Sequence, residues 1–281
     1  MKKIFIYGAG YYGEQVLKKI KNEYEILGFI DSDKKKINNN LKKFKIYAPE
    51  ILNKVSYDHI YIASMWSSEI YNFLIKKKIS KKKIFIYPIS KIHEHNIKNK
   101  NLFKKFRHLI NLFSVNKINY YLDHSSLLSI VRDKDLLKSY DIDLAIDFND
   151  LKKILKILKS SKKFSKIELG IIDVDKEKFG KKFIYQITID NALDLQVKKL
   201  IKNYYYWIIG SNILRISKKY VHKKQIIIYK KTKIKIPFHF KKYLKSLYGE
   251  NWTKPSLNWT YDDYTNIYSK IKFTNFKVKK I

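Results

Sequence analysis

The sequence predicts an α/β chain of two domains: a parallel-sheet module over residues 1–90, a linker at 91–101, and an α+β domain over 102–281. Three observations predict this. Short apolar runs alternate with amphipathic helical segments through the first third, the order that builds a parallel sheet covered on both faces. A polar stretch from Lys91 to Asn101, rich in histidine and asparagine, then breaks the alternation. Beyond it, a small-residue turn and a short helix lead to a strand with carboxylates two residues apart, and a strand pair follows.

Lys2 to Tyr7 reads as a buried strand, Tyr12 to Lys21 as a helix, and Glu25 to Ile30 as a strand ending at Asp31. Tyr57 to Ala63 makes another strand. Ser67 to Lys78 is a helix with Ile70, Phe73 and Leu74 at helical spacing, and Lys83 to Tyr87 is a last strand closed by Pro88. In the second domain, Leu102 to Ser114 places Phe103, Phe106, Leu109, Ile110 and Phe113 on one stripe. Ser125 and Ser126 open a helix that ends at Arg132, and a strand runs from Asp141 to Phe148. A helix at Leu151 to Leu158 precedes strands at Phe183 to Ile189 and Ala192 to Val197, which turn at Asp190-Asn191. Pro237 is expected to open a helix through Leu247 that Gly249 ends. The aromatic cluster of Tyr248 to Trp252 and Trp259 to Tyr261 reads as core before a surface that stacks a base or a sugar, and the run Asn203 to Gly210 as core before a contact with membrane or a lipid-linked acceptor. There is no internal repeat.

Composition narrows the function. The chain has 281 residues, is 45% apolar and carries a formal charge of +35. Arginine occurs only at Arg107, Arg132 and Arg215. The excess is therefore lysine spread over a surface, which bears on solubility and general attraction to anions, and no specific nucleic-acid partner is expected. Such a surface favours phosphorylated substrates and anionic lipid. With no cysteine, disulfides, thiolate metal sites and cysteine nucleophiles are excluded. No apolar span of about 18 residues or more occurs, so a cytoplasmic location is expected, at most peripheral to the inner membrane face.

Gly8, Gly10 and Gly13 form a GxGxxG between a strand and a helix, with Asp31 at the end of the next strand. Such glycines allow a tight turn and close approach of backbone to pyrophosphate, the helix start favours its charge, and Asp31 can accept from ribose hydroxyls. Three readings follow: a nucleotide or nucleotide-sugar site, a turn kept for helix–strand packing, or NAD chemistry. Lys2 to Pro88 resembles the small Rossmann-like module at the front of sugar acyltransferases and some capsule-biosynthesis proteins. That resemblance implies nucleotide-sugar binding or a packing role.

Asp141 and Asp143 point the same way from their strand, about 7 Å apart, while Ile142, Leu144 and Ile146 face a core. Two hard oxygen donors on a rigid face suit Mg²⁺ or Mn²⁺. In Ala192-Leu-Asp-Leu-Gln-Val, alternation leaves Asp194 on the open side with Gln196. The histidines form no convincing metal set, with His124 beside the turn the one exception to test; Asp147 reads as a helix cap, and Asp123, just before the turn, as support behind the site.

Three segments, Tyr121-Leu-Asp-His-Ser-Ser-Leu-Leu-Ser-Ile-Val-Arg132, Asp141-Ile-Asp143 and Ile236 to Trp252, resemble the LicD and fukutin family of phosphotransferases. The resemblance implies a nucleotidyltransferase fold. It also implies transfer of a phosphorylated small alcohol, such as phosphocholine or a polyol phosphate, from a CDP-type nucleotide-diphosphate donor to a hydroxyl of a saccharide or lipid-linked saccharide. Asp141 and Asp143 would hold the metal, and Asp194 would complete that site or take the acceptor proton. Ser125 and Ser126 would meet the donor phosphates at the helix start, and Arg132 would clamp them. The sequence departs from the family at Ser125 and Ser129, where glycines are usual, and in a shortened lead-in, Leu136 to Tyr140. A nucleotidyltransferase using the same three carboxylates is one alternative, and a non-catalytic nucleotide-sugar-binding subunit is another.

Overall fold

The computed structural model describes residues 1–64, 67–87, 100–139, 141–173, 179, 183–254, 259, 261–271 and 276–281. The chain divides into two compact units, Met1–Glu94 with Leu257–Thr260, and His95–Ser256 with Tyr261–Ile281.

In the first unit, β1 (Lys3–Tyr7), α1 (Tyr11–Ile20), β2 (Glu25–Ile30), β3 (Asn40–Leu41), β4 (Phe44–Tyr47), β5 (His59–Ile62), α2 (Ser67–Lys76) and β6 (Ile84–Ile86) follow one another. The sheet order is β3-β4-β2-β1-β5-β6, and every pairing except β3 with β4 is parallel. Counting only the parallel strands in chain order, the sheet reads 3-2-1-4-5, the Rossmann-type order without its sixth strand. The reason is visible in β1. Ile4 and Ile6 pack with Val16 and Leu17 on one face, while Phe5 and Tyr7 pack with Ile70 and Leu74 on the other. Burial on both faces gives the continuous apolar run that such strands require. The edge pair β3–β4 was not expected, because the lysines at 42, 43 and 45 break the apolar signal.

The linker expected at 91–101 lies outside the described residues as far as residue 99, as does Pro88, and Lys100 and Asn101 already belong to α3 (Lys100–Val115). Then come β7 (Tyr120–Leu122), α4 (His124–Arg132), β8 (Ile142–Asp147), α5 (Leu151–Ser160), β9 (Ile167–Ile172), β10 (Phe183–Ile189), β11 (Leu193–Ile201), β12 (Tyr204–Ile209) and β13 (Asn212–Ser217). The chain continues with β14 (Lys224–Tyr229), β15 (Thr232–Pro237), α6 (Phe240–Tyr248), β16 (Ile267–Lys270) and β17 (Phe276–Lys280). The large sheet runs β16-β13-β12-β11-β10-β9-β17, with β8 paired to β11 and β7 to β8.

β11 is the strand that organises this unit. One edge pairs antiparallel with β10 across the Asp190-Asn191 turn, whose φ values of 52° and 59° suit these two residue types. The other edge pairs parallel with β8 along Leu193–Lys198 and then antiparallel with β12 along Lys199–Ile201. β12 has no alternation because Tyr206, Trp207, Ile208 and Ile209 are all buried. One expectation is corrected. Pro237 ends β15 opposite Lys224 and the helix begins at Phe240, because a strand end tolerates the missing N–H. Gly249 does end that helix, at φ 79°, with its N–H on the Lys245 carbonyl. No helix among the described residues is long and apolar enough to cross a membrane.

Candidate metal centre

Pairing of β8 with β11 places Asp143 directly opposite Asp194, and Asp141 lies one residue before β8. One carboxylate oxygen from each of the three lies within 4.8 Å of the others. The neighbours in sequence hold this arrangement: Ile142, Leu144 and Ile146 on β8, and Leu193, Leu195 and Val197 on β11, are all buried. Two parallel strands locked by their apolar faces thus present three acids on one side.

The acids disfavour one another's charge. Burial, followed by the charge of Asp194, pushes the Asp141 carboxyl up to about 7. Burial also raises Asp143 well above the usual carboxylate range, and the charges of Asp141 and Asp194 add to that. Asp194 is raised by burial although Thr188 and Gln186 beside it pull the other way. The Asp194 Oδ1 atom is buried without a hydrogen-bond partner. Three mutually repelling carboxyls and an orphaned acceptor oxygen fit a divalent cation, whose octahedral oxygens at about 2.1 Å lie roughly 3–4 Å apart. The residues present therefore fit Mg²⁺ or Mn²⁺, as hard oxygen donors should.

The turn before α4 braces the site. Asp123 caps the helix by accepting from the His124 N–H at 2.9 Å, and its own N–H donates to the Asp143 carbonyl at 3.0 Å. The Ser125 hydroxyl donates to Asp143 Oδ2 at 2.9 Å. The Ser126 hydroxyl donates to the Asp141 carbonyl at 3.0 Å and accepts from the Asp143 N–H at 2.8 Å. Ser126 is completely buried, so its hydroxyl holds β8 against α4 and is not presented to phosphate, a correction to the expected role. Ser125 is engaged as well, though with a carboxylate of the site itself.

Beneath the acids lies a buried network, of which the sequence points to Asp123 and His124 beside the turn but not to Lys198. Lys198 on β11 is 1% exposed, and its ammonium lies 2.6 Å from Asp123 Oδ2, donates to the Tyr243 hydroxyl at 2.7 Å, and sits 3.8 Å from the centre of the Trp207 ring. The Tyr243 hydroxyl donates to Asp123 Oδ1. Burial alone would raise the Asp123 carboxyl, but His124 and Lys198 outweigh it and hold it below its ordinary value. His124 is buried with a left-handed φ of 41°. Its Nε2 accepts from the Trp207 indole at 3.1 Å and its Nδ1 meets the Tyr264 hydroxyl at 2.8 Å. Burial lowers the imidazole to about 4, so it is neutral at pH 7, with the proton on Nδ1. Lys198 shares strand parity with Asp194, and that was the available signal.

Arg132 ends α4 as expected, and its guanidinium lies on Asp133 through Nε and Nη2, both at 3.1 Å. In the first unit, Gly8 adopts φ 114°, and a Cβ on Gly13 would fall 1.9 Å from the Gly8 carbonyl oxygen, so both glycines are required by the close turn. A Cβ on Gly10 would meet nothing within 4 Å. Asp31 Oδ2 accepts from the Ala9 N–H and from Lys36, both at 2.9 Å, and Oδ1 accepts from the Asp33 N–H at 2.9 Å. The acid thus binds the glycine turn itself.

Fold and site together define a mixed α/β chain in which a Rossmann-like parallel sheet with a glycine turn is joined to a unit bearing a three-carboxylate centre. Residues 1–85 match the family model described as C2185-like, N-terminal, and the match ends before the carboxylates. No curated protein matches the chain in sequence. Among solved structures, UDP-D-quinovosamine 4-dehydrogenase from Vibrio fischeri is 25% identical over 30% of this chain and 73% of its own, with a TM-score of 0.25. The lincosamide antibiotic adenylyltransferase LnuA, with lincomycin bound, is 16% identical over 50% of this chain and 83% of its own, at a TM-score of 0.33. Scyllo-inositol dehydrogenase from Lactobacillus casei, with NAD(H) and scyllo-inositol, is 10% identical over 84% and 82%, at 0.25. Superpositions this loose carry no argument about activity.

Proposed function

We propose that the second unit is a metal-dependent phosphotransferase of the LicD type on a nucleotidyltransferase fold. It would move a phosphorylated small alcohol from a nucleotide-diphosphate donor to a hydroxyl of a saccharide or lipid-linked saccharide. The observation that carries this reading is the triad: three carboxylate oxygens within 4.8 Å, from two parallel strands in direct register. Its resemblance to the LicD segments supports the choice of donor. Phosphoryl transfer depends mainly on positioning and charge neutralisation. A divalent ion held by Asp141, Asp143 and Asp194 would supply that neutralisation at the diphosphate.

The chain's own residues have the remaining tasks. Ser125 fixes the orientation of Asp143 through Oδ2, and Ser126 fixes the backbone that presents Asp141 and Asp143. Asp194 Oδ1, buried and without a hydrogen-bond partner, would bind the metal or take the proton of the attacking hydroxyl. Arg132 would have to leave Asp133 to reach a phosphate. In the first unit, a nucleotide or nucleotide-sugar is the ligand class proposed, its phosphate against Gly10, where a Cβ would meet nothing within 4 Å. A cytoplasmic setting suits these donors.

The test is turnover of CDP- and UDP-linked alcohols with Mg²⁺ or Mn²⁺ and a saccharide acceptor. Nucleoside monophosphate should be released, and Asp141→Asn and Asp143→Asn should abolish its release. Release of pyrophosphate from a nucleoside triphosphate would instead assign nucleotidyl transfer to the same acids.

A further inference from the structure

β14 and β15 form a two-stranded ribbon outside both large sheets. Its inner face is core: Thr232, Ile234 and Ile236 are buried. Its outer face is not. Ile226 and Ile228 are 60% and 74% exposed, and in register they stand opposite Lys235 and Lys233. At the tip, Lys230 and Lys231 both have left-handed φ, 45° and 62°, in a turn whose geometry favours Asn-Gly. Two exposed lysines therefore occupy strained positions at the turn of the ribbon, beside Tyr229, which packs on Phe103. From Ile216 to Gly249 the sequence contains eleven lysines and no aspartate or glutamate. Among the described residues, lysines 231, 233 and 235 make no ion pair, and Lys230 lies close enough to Asp135 to lower its carboxyl.

We propose that the outer face of this ribbon docks on an anionic lipid bilayer, with Ile226 and Ile228 entering the acyl boundary and the surrounding lysines meeting headgroup phosphates. The chemistry selects this occupant. Aliphatic side chains ringed by cations need an apolar phase beside a layer of anions, and lysine stems can lie along that phase while their ammonium groups stay at its surface. A nucleic acid offers anions but no hydrocarbon, and faces that bind single strands present aromatic rings for stacking where this one presents isoleucine. A second copy of the chain would bring lysine against lysine. The Lys235 ammonium lies 5.3 Å from the centre of the Tyr120 ring on β7, the strand paired with β8. Docking would thus hold the carboxylate strand near the surface where a lipid-linked acceptor resides. The membrane contact stands independently of that transfer reaction.

The test is co-flotation of the full chain with vesicles of phosphatidylcholine alone or of equimolar phosphatidylcholine and phosphatidylglycerol. The wild-type chain should float with the anionic vesicles only. Ile226→Ser with Ile228→Ser, both at solvent-facing positions, should lower partitioning about tenfold or more. Replacing Lys230, Lys231 and Lys233 by Gln should lower it by roughly a hundredfold at low salt, from about fivefold per lysine. The same exchange at exposed Lys34, Lys35 and Lys43 of the first unit is the control for diffuse charge, and should cost no more than about twofold. Wild-type partitioning by the isoleucine variant, or an equal loss in the control, would overturn the proposal. So would tighter binding to single-stranded RNA that needs the ribbon lysines and ignores the isoleucines. Circular dichroism of each variant separates loss of docking from loss of fold.

Discussion

Asp141→Asn should stabilise the metal-free protein at neutral pH while removing its response to metal. In the folded chain the Asp141 carboxyl sits at about 7, against 3.8 for an ordinary aspartate. A raised carboxyl means that the folded form keeps a proton that the unfolded form has lost. Stability is therefore complete below about pH 4, falls as pH rises from there towards 7, and is level above that. At about 1.4 kcal/mol per pH unit, the ionised carboxylate costs on the order of 4 kcal/mol at pH 8. Asparagine keeps the shape and removes the charge. Thermal melts in chelator should place Asp141→Asn roughly 5–10 °C above wild type at pH 8, and close to it at pH 4. Adding Mn²⁺ at about a hundred times its dissociation constant should raise the wild type by roughly 2.7 kcal/mol, and by more at pH 8 than at pH 5.5, with little effect on the variant. A variant destabilised equally at both pH values, or one that keeps the full Mn²⁺ response, would refute the reading of these acids as a cation site.

Ser125→Ala removes a hydrogen bond that holds Asp143 down; the acid limb of the pH–activity profile should move to higher pH while the melting temperature barely changes. Lys198→Met leaves Asp123 buried without its cation, and urea unfolding should register a loss of about 3–5 kcal/mol, partly restored by adding Asp123→Asn. Gly13→Ala places a methyl 1.9 Å from a backbone carbonyl oxygen and should cost on the order of 3 kcal/mol in the same assay. Gly10→Ala enters open space and should leave stability within about 0.5 kcal/mol of wild type, yet weaken CDP or UDP binding measured by titration calorimetry.

Sequence patterns carried the parts of this fold where one physical demand dominates. β1 is buried on both faces beyond Lys3, so its apolar run is unbroken; β8 and the start of β11 alternate, so the directions of Asp141, Asp143 and Asp194 could be read two residues at a time. The hairpin of β3 and β4 has lysines at 42 and 43 in its turn and at 45 on β4, and gave no such pattern. Pro237 was misplaced because a proline that opens a helix and one that ends an edge strand look alike without the partner strand. The spacing marks Asp31 as able to accept from ribose hydroxyls, but not its contacts with the Ala9 N–H and Lys36, which are set by how the turn closes in space.

Lysine abundance explains what the candidate site concealed. In a chain with 60 Lys and Arg residues, one more lysine four positions after Asp194 carries no statistical weight. Its position does carry information, because strand parity puts Lys198 on the side shared by Asp194 and Gln196, and that side is covered by Trp207 and Tyr243 from β12 and α6. A buried ammonium demands a buried anion, and Asp123 is the anion that also caps α4 and donates its N–H to the Asp143 carbonyl. The unexposed lysine is thus tied to the metal-facing acids through one helix cap. The same reasoning separates Lys198 from the ribbon lysines: parity and cover turn one into an internal counter-ion, while Lys231 and Lys233 form no ion pair among the described residues and stand beside exposed isoleucines, open to an external anion.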